Sequence, residues 1–192
     1  MANDRLREAA QAIRLVPPED RVTGSGASFV MAPFAYIRAG RFSPHGARGV
    51  YYAGESLDTA IAETTFHRAR FFAETREQPL LAENRVIEAT IEGDVADVAV
   101  APARTRKAVL DPDSYAASFR FGAEVFAAGR DGVVYPSVRR RDGTCVAIFR
   151  PRCVRNARTT MYLGYRWDGA RISDVFKIES LNGPYSAEPG AR

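Results

Sequence analysis

The order of the predicted helices and strands is the feature that most limits how this 192-residue chain folds. Segments rich in Val, Ile and aromatic residues outnumber segments with helical spacing, and the two kinds do not alternate regularly. A parallel sheet built from βαβ units needs that alternation. The pattern therefore predicts an α+β domain with a mixed, largely antiparallel sheet and flanking helices.

Three segments have the periodicity and end signals of helices. Residues 1–18 carry an apolar stripe that ends at a Pro-Pro pair. A second helix is predicted over residues 56–73, because the hydroxyl of Ser56 can cap it. A third is predicted over residues 113–128, with Asp113 as its cap and Gly129 at its end.

Several short segments have the composition of strands. Two turn sequences, Glu92-Gly93-Asp94 and Asp168-Gly169, predict that the flanking strands form hairpins. The chain has the length of one domain, so residues 1–192 are treated as a single unit with a disordered tail over 182–192. The predicted extended segments are residues 28–31, 35–42, 49–53, 85–91, 95–100, 133–138, 144–150, 161–167 and 171–178.

Composition argues against several classes of protein. No apolar run approaches the roughly 18 to 20 residues that span a bilayer. The N-terminal segment carries charges of both signs and lacks the apolar stretch of a secretion signal, so we expect a cytoplasmic protein with no membrane partner. Two cysteines and two histidines have none of the spacings of a zinc site. We therefore expect no metal and no disulfide.

Glu63 is a candidate functional residue on the second predicted helix. Steps of about 100° per residue place it beside His67 and Arg70, at the margin of the apolar face. An ion pair on the protein surface is the alternative interpretation of this pattern. The helix alone does not decide between a surface pair and a residue that faces a cleft.

Three segments together resemble the RES-domain family: GRFSP (40–44), GVYYAGESLDTAIAET (49–64) and GVVYPSVRRRDGTCVAIF (132–149). The family is named for an Arg, a Glu and a Ser, and the resemblance extends from about residue 21 to about residue 169. It maps these three residues onto Arg41, Glu63 and Ser137, and it adds a tyrosine, for which motif spacing favours Tyr52. Its NAD-binding candidates are Arg21 and Tyr51.

The resemblance implies an activity and partners. RES-domain proteins resemble the toxins of bacterial toxin–antitoxin pairs, have folds related to ADP-ribosyltransferase toxins, and consume NAD+. We therefore expect NAD+ as a substrate, cleavage of the nicotinamide–ribose bond with water or phosphate as acceptor, and an Xre-like antitoxin as partner. Transfer of ADP-ribose to a specific protein is the alternative reaction. A recycled NAD cofactor is disfavoured because the Rossmann fingerprint is absent.

The four implied catalytic residues suit this chemistry. A carboxylate at Glu63 can face the positive charge that builds on the ribose. Arg41 can bind the pyrophosphate or a ribose through its planar fork, and Tyr52 can stack on the cationic nicotinamide ring. Ser137 can hydrogen-bond a ribose hydroxyl or the nicotinamide amide.

A cluster of arginines raises a different hypothesis, binding of nucleic acid. The chain has 27 basic and 23 acidic residues, and its net charge is +4. The cluster has few interleaved aromatic residues, and the strand predicted over 144–150 would divide it between two ends. Nucleic acid is therefore a disfavoured partner, and a solvated face or an antitoxin-docking patch explains the cluster as well. Its members are Arg139, Arg140, Arg141, Arg150, Arg152, Arg155 and Arg158.

Overall fold

The computed structural model describes residue 11 and residues 13–179. Within these residues four helices and two mostly antiparallel sheets form an α+β fold, which confirms the predicted class. None of the helices in this part of the chain is long and apolar enough to cross a membrane. The helices are α1 (Ala27–Ala35), α2 (Leu57–Thr75), α3 (Ala103–Val109) and α4 (Ala116–Ala127).

Seven strands build the two sheets. The first sheet has the order β1-β5-β4-β3, in which only the β3–β4 pair is parallel. The second has the order β2-β6-β7 and is antiparallel throughout. The strands are β1 (Tyr51–Gly54), β2 (Leu80–Ile91), β3 (Val95–Asp97), β4 (Gly132–Pro136), β5 (Thr144–Ile148), β6 (Val154–Trp167) and β7 (Ile172–Ile178).

The two faces of the first sheet contribute to two apolar clusters. One cluster includes Val133 and Ala147, both fully buried, together with Val125 of α4. The other, on the opposite face, includes Tyr51 and the α1 residue Phe34. Because successive side chains of a strand point to opposite faces, this arrangement separates neighbouring residues of β1 into different environments.

Helix α2 joins the first sheet to the second. Its start is as predicted: the Ser56 hydroxyl accepts a hydrogen bond from the Thr59 amide at 3.2 Å. Near its end Phe72 packs against Trp167 of β6, with 5.6 Å between the ring centroids. The first half of α2 therefore lies near β1, and its second half covers the inner face of the second sheet.

The prediction of extended structure over residues 28–31 and 35–42 is wrong where α1 forms. Phe29 and Val30 favour extended chain locally. Val30 and Phe34 are four residues apart and both are almost completely buried, so a helix places them on one face against the second cluster. Burial of that face outweighs the local preference.

The prediction of a hairpin between residues 85–91 and 95–100 is also wrong. The chain bends at Gly93, but β2 pairs with β6 while β3 pairs in parallel with β4. Asp94 is held to the segment before β4, because its carbonyl accepts from the Asp131 amide at 2.7 Å and its carboxylate pairs with Arg130 at 2.7 Å. These contacts direct the chain into a second sheet that the sequence did not predict.

The structure differs from the predicted helices at α3 and at the start of α4. The predictions for the two chain ends concern residues that are mostly outside the described range. Helix α3 was not predicted, and α4 begins after Tyr115 rather than with a cap at Asp113. The carboxylate that binds backbone amides in this loop is that of Asp111. The predicted N-terminal helix falls mostly, and the predicted tail over 182–192 entirely, outside the described residues.

Candidate active site

A hydrogen bond between Ser137 and Glu63 forms the centre of the site. The Ser137 Oγ donates to Glu63 Oε1 at 2.6 Å, across 74 positions of sequence. Glu63 lies on the second turn of α2, and Ser137 follows the last residue of β4. The Ser137 amide donates to the Gly143 carbonyl at 2.7 Å. A Cβ at Gly143 would come within 2.8 Å of Thr59 Oγ1. The loop between β4 and β5, which contains Ser137 and Gly143, therefore lies close to the first turn of α2.

The direction of the Ser137 hydroxyl is fixed by its neighbours. Its oxygen accepts hydrogen bonds from the amides of Arg139 and Arg140, at 3.1 and 3.0 Å. A hydroxyl has two acceptor lone pairs and one hydrogen. With both lone pairs engaged, the hydrogen points to the Glu63 carboxylate.

Cys145 lies against the same carboxylate oxygen. Its Sγ is 3.7 Å from Glu63 Oε1, and the side chain is buried at the start of β5. Burial, followed by the negative charge of Glu63, raises the pKa of the thiol to about 12. The thiol therefore stays protonated at neutral pH and acts as a weak donor, so two neutral donors hold Oε1 while neither is at Oε2.

Tyr135 of β4 borders the site. It is directly opposite Cys145 in the β4–β5 pair and is 6% exposed. Burial is the main cause that raises its pKa well above the ordinary value, so its hydroxyl is neutral. The charges that act on this hydroxyl include those of Glu63 and Arg41. Tyr135 is thus a buried polar group near the predicted site residues.

Arg41 is buried and its guanidinium is held by neutral groups. Its Nη1 donates to the carbonyls of Val109 and Asp111, each at 2.9 Å, and its Cζ lies 4.7 Å from the centroid of the Tyr115 ring. Among the described residues, Arg41 forms no hydrogen bond through Nε or Nη2 and no salt bridge. That edge is the fork with which arginine binds phosphate or carboxylate.

Tyr52 lies on the same face of the first sheet as Tyr135. Its hydroxyl accepts a hydrogen bond from the Phe42 amide at 3.0 Å, and burial raises its pKa. Its ring lies against Gly40, where an added Cβ would come within 2.6 Å of the ring. The residue as a whole is 38% exposed, so part of the ring faces solvent.

Two predicted substrate-binding residues lie apart from this group. Tyr51 is 8% exposed and packs in the cluster on the opposite face of the sheet, since the strand pleat turns it away from Tyr52. Arg21 donates from Nε to the Val16 carbonyl at 2.9 Å. No hydrogen bond or salt bridge of the described residues joins Arg21 to Glu63.

Two further residues border the site. The Nε2 of His67 is 4.0 Å from Glu63 Oε2, whereas Arg70 pairs with Glu74 at 2.7 Å. The guanidinium of Arg139 lies 3.4 Å from the centroid of the Phe66 ring. Helical spacing predicts that His67 lies beside Glu63. It does not predict the position of Arg139, which is distant in sequence and reaches α2 only in the folded protein.

Most of the predicted arginine cluster is paired with carboxylates. Arg139 is the exception among the described residues, and its Nη2 donates instead to the Pro112 carbonyl at 3.0 Å. These ion pairs reduce the positive charge that the cluster presents to solvent. The paired members are Arg140, Arg141, Arg150, Arg152, Arg155 and Arg158.

The described residues contain no group of three His, Cys, Asp or Glu side chains that could hold a metal ion. Cys145 and Cys153 are free thiols, and each is buried in a different apolar cluster. The side chains that the fold brings together at the site supply a carboxylate, a guanidinium, hydroxyls and a thiol. This set suits binding and polarisation of an organic substrate that carries both positive and negative charge.

The sequence that forms this α+β fold and its site matches a known family. The model of the RES domain matches residues 18–168, and the chain belongs to the RES domain family. The uncharacterized protein y4oC of Sinorhizobium fredii (strain NBRC 101917 / NGR234) is similar, with 28% identity over 151 residues. That match covers 78% of this chain and 61% of the relative, so this chain spans less than two thirds of the relative's length.

RES domains are associated with NAD+-related toxin function in toxin–antitoxin systems. The family suggests in general an enzyme that uses NAD+.

Proposed function

We propose that this protein is an NAD+-consuming toxin that cleaves the bond between nicotinamide and ribose. The observation that carries the proposal is the set of contacts that the Glu63 carboxylate makes. Ser137 and Cys145 hold its Oε1 as neutral donors, and no arginine or lysine in the described residues forms a salt bridge with it. Its negative charge is therefore fixed in position and remains available to a cationic reaction centre.

The bond to be broken suits such a carboxylate. Nicotinamide leaves as a neutral molecule from a cationic ring, so no general acid is needed. Positive charge then develops on the ribose C1′, and a preorganised negative group beside it lowers the barrier. Glycosidases place a carboxylate against a similar cation. Glu63 has this role in the proposal.

The other residues bind the two ends of the substrate. Arg41 offers its Nε and Nη2 edge to the pyrophosphate or an adjoining ribose. The partly exposed ring of Tyr52 stacks on the nicotinamide, which favours the cationic form before cleavage by about 0.5 to 2 kcal/mol. Ser137 orients Glu63 and approaches the ribose.

The acceptor of the ADP-ribose is water or phosphate in this proposal, and a specific protein is the alternative. All three reactions share the same bond cleavage. A protein that drains NAD+ must be restrained in the cell that makes it, so an Xre-like antitoxin is the proposed partner. Coexpression of the two proteins should restore growth and yield a stable complex.

The test is release of nicotinamide from NAD+ by purified protein, with and without phosphate. We expect the unmodified chain to release nicotinamide and Glu63→Gln to reduce the rate by about a thousandfold, as for loss of a main electrostatic contact. The matched control is Glu74→Gln on the same helix, because Glu74 pairs with the exposed Arg70. Equal rates for Glu63→Gln and Glu74→Gln would refute the proposal.

A further inference from the structure

His67 faces the side of the Glu63 carboxylate that Ser137 and Cys145 leave open. It follows Glu63 by one helical turn, and its Nε2 is 4.0 Å from Oε2. This distance is too long for a direct hydrogen bond, so the imidazole nitrogen is not hydrogen-bonded to the carboxylate. The His67 side chain is 57% exposed, which leaves this nitrogen accessible from solvent.

The charges around His67 come from three parts of the chain. Glu63 and Arg70 lie on α2, Arg139 lies on the loop after β4, and Arg41 lies before β1. Partial desolvation by the neighbouring residues, and then the three arginines, lower the pKa of His67, whereas Glu63 raises it, and the net direction is below the ordinary histidine value. The imidazole is therefore neutral at pH 7 and has one nitrogen that can accept a proton.

We infer that His67 is the general base that takes the proton from an oxygen nucleophile, water in the simplest case, as it attacks the ribose C1′. The inference rests on the proposed cleavage of NAD+. The C1′–N bond breaks and its electron pair leaves with nicotinamide. A bond forms from the water oxygen to C1′, and the water proton passes to the unprotonated nitrogen of the His67 imidazole and then to solvent.

In this geometry the two neighbouring side chains, Glu63 and His67, have different chemical roles. Glu63 is held at Oε1 and keeps its negative charge toward the cationic carbon. A protonated Glu63 would lose that stabilising charge, so a second group is needed to accept the proton. His67 lies at the free oxygen and on the exposed side, where a water molecule arrives. Neighbouring titratable groups that take different roles because their environments differ are a general feature of such sites.

The experiment measures nicotinamide release by the unmodified chain, His67→Gln and His67→Ala across pH. For the unmodified chain, kcat should fall on the acid side, at a pH below the ordinary pKa of histidine, because His67 becomes protonated there and cannot act as a base. His67→Gln should lower kcat by about a hundredfold or more, with KM little changed, and should lose this acid limb. Added imidazole should restore part of the rate in His67→Ala.

The matched control is His45→Gln, since His45 lies in the exposed turn before β1. It should retain the rate and the pH profile of the unmodified chain. An unchanged kcat and acid limb in His67→Gln would overturn the inference, and so would a loss of rate that imidazole does not restore. If Glu63→Gln abolishes release while His67→Gln does not, only this inference fails and the proposed function stands.

Discussion

Two groups of polar side chains in this protein arrange their charges in opposite ways. The first, here called the ion cluster, places two carboxylates and two guanidinium groups within 2.7 to 3.3 Å of one another. The second, here called the Glu63 site, keeps its carboxylate and its guanidinium apart. The ion cluster consists of Asp20, Asp131, Arg150 and Arg152, and the Glu63 site consists of Arg41, Tyr52, Glu63 and Ser137.

The difference indicates which of the two is available to a ligand. In the ion cluster each carboxylate contacts both arginines, so the charges neutralise one another. In the Glu63 site a hydroxyl and a thiol hold the carboxylate, and two backbone carbonyls hold Arg41. Charges that are fixed by neutral partners remain able to act on a substrate. The ion cluster stabilises the fold, and the Glu63 site is suited to chemistry.

The largest effect is expected at the ion cluster. Asp20→Asn removes the charge of a carboxylate that is 3% exposed and leaves Arg150 and Arg152 to share the single charge of Asp131. The free energy of unfolding should fall by about 2 to 3 kcal/mol, less than for a fully buried ion pair, because the two arginines are partly exposed. Urea denaturation measures this loss. At a temperature where the variant is folded, nicotinamide release per molecule should match the unmodified chain, and a specific loss of release would place Asp20 in the Glu63 site.

Loss of the Ser137 hydroxyl should have a smaller effect, and it should lower the reaction rate rather than the stability. Ser137→Ala removes the donor to Glu63 Oε1, and a hydrogen bond to a charged group contributes about 1.5 to 3 kcal/mol. We expect kcat to fall by about ten- to a hundredfold, with a thermal midpoint within a few degrees of the original. Ser137→Thr keeps the hydroxyl and should recover most of the rate. Equal rates for Ser137→Ala and Ser137→Thr would show that the hydrogen bond is not used.

The smallest effect is expected at Tyr52. Tyr52→Leu removes the aromatic face proposed to stack on nicotinamide, a contact of about 0.5 to 2 kcal/mol. The KM for NAD+ should rise by about two- to thirtyfold, and Tyr52→Phe, which keeps the ring, should stay near the unmodified value. Steady-state kinetics of the two variants measure the difference. A KM for Tyr52→Leu equal to that of Tyr52→Phe would exclude stacking.

Local signals predicted the parts of the fold that depend on neighbouring residues. The hydroxyl of Ser56 indicates where α2 begins, and this start places Glu63 on the second turn of the helix. Strand geometry requires the neighbours Tyr51 and Tyr52 to point to opposite faces, and the structure places Tyr51 in a core cluster. Each of these features follows from the geometry of one helix or one strand.

The remaining features depend on distant parts of the chain. Cys145 lies 82 positions from Glu63, and nothing in the local sequence brings them together. The resemblance to a family indicated Ser137 but neither Cys145 nor Tyr135. The turn at Glu92-Gly93-Asp94 was recognised, yet its strands enter different sheets because Asp94 binds Arg130 and Asp131. Helix α1 was missed because its stability comes from burial rather than from local preference.

The most direct measurement is a crystal structure of Glu63→Gln with NAD+ bound, since this variant should bind the substrate without cleaving it. The account predicts the ribose C1′ within about 3.5 Å of the side chain at position 63, which is a near-attack distance. It also predicts the nicotinamide ring on Tyr52 and the pyrophosphate at Arg41. NAD+ bound elsewhere, for example in the groove between α3 and α4 lined by Arg104 and Arg120, with the Glu63 site empty, would contradict it.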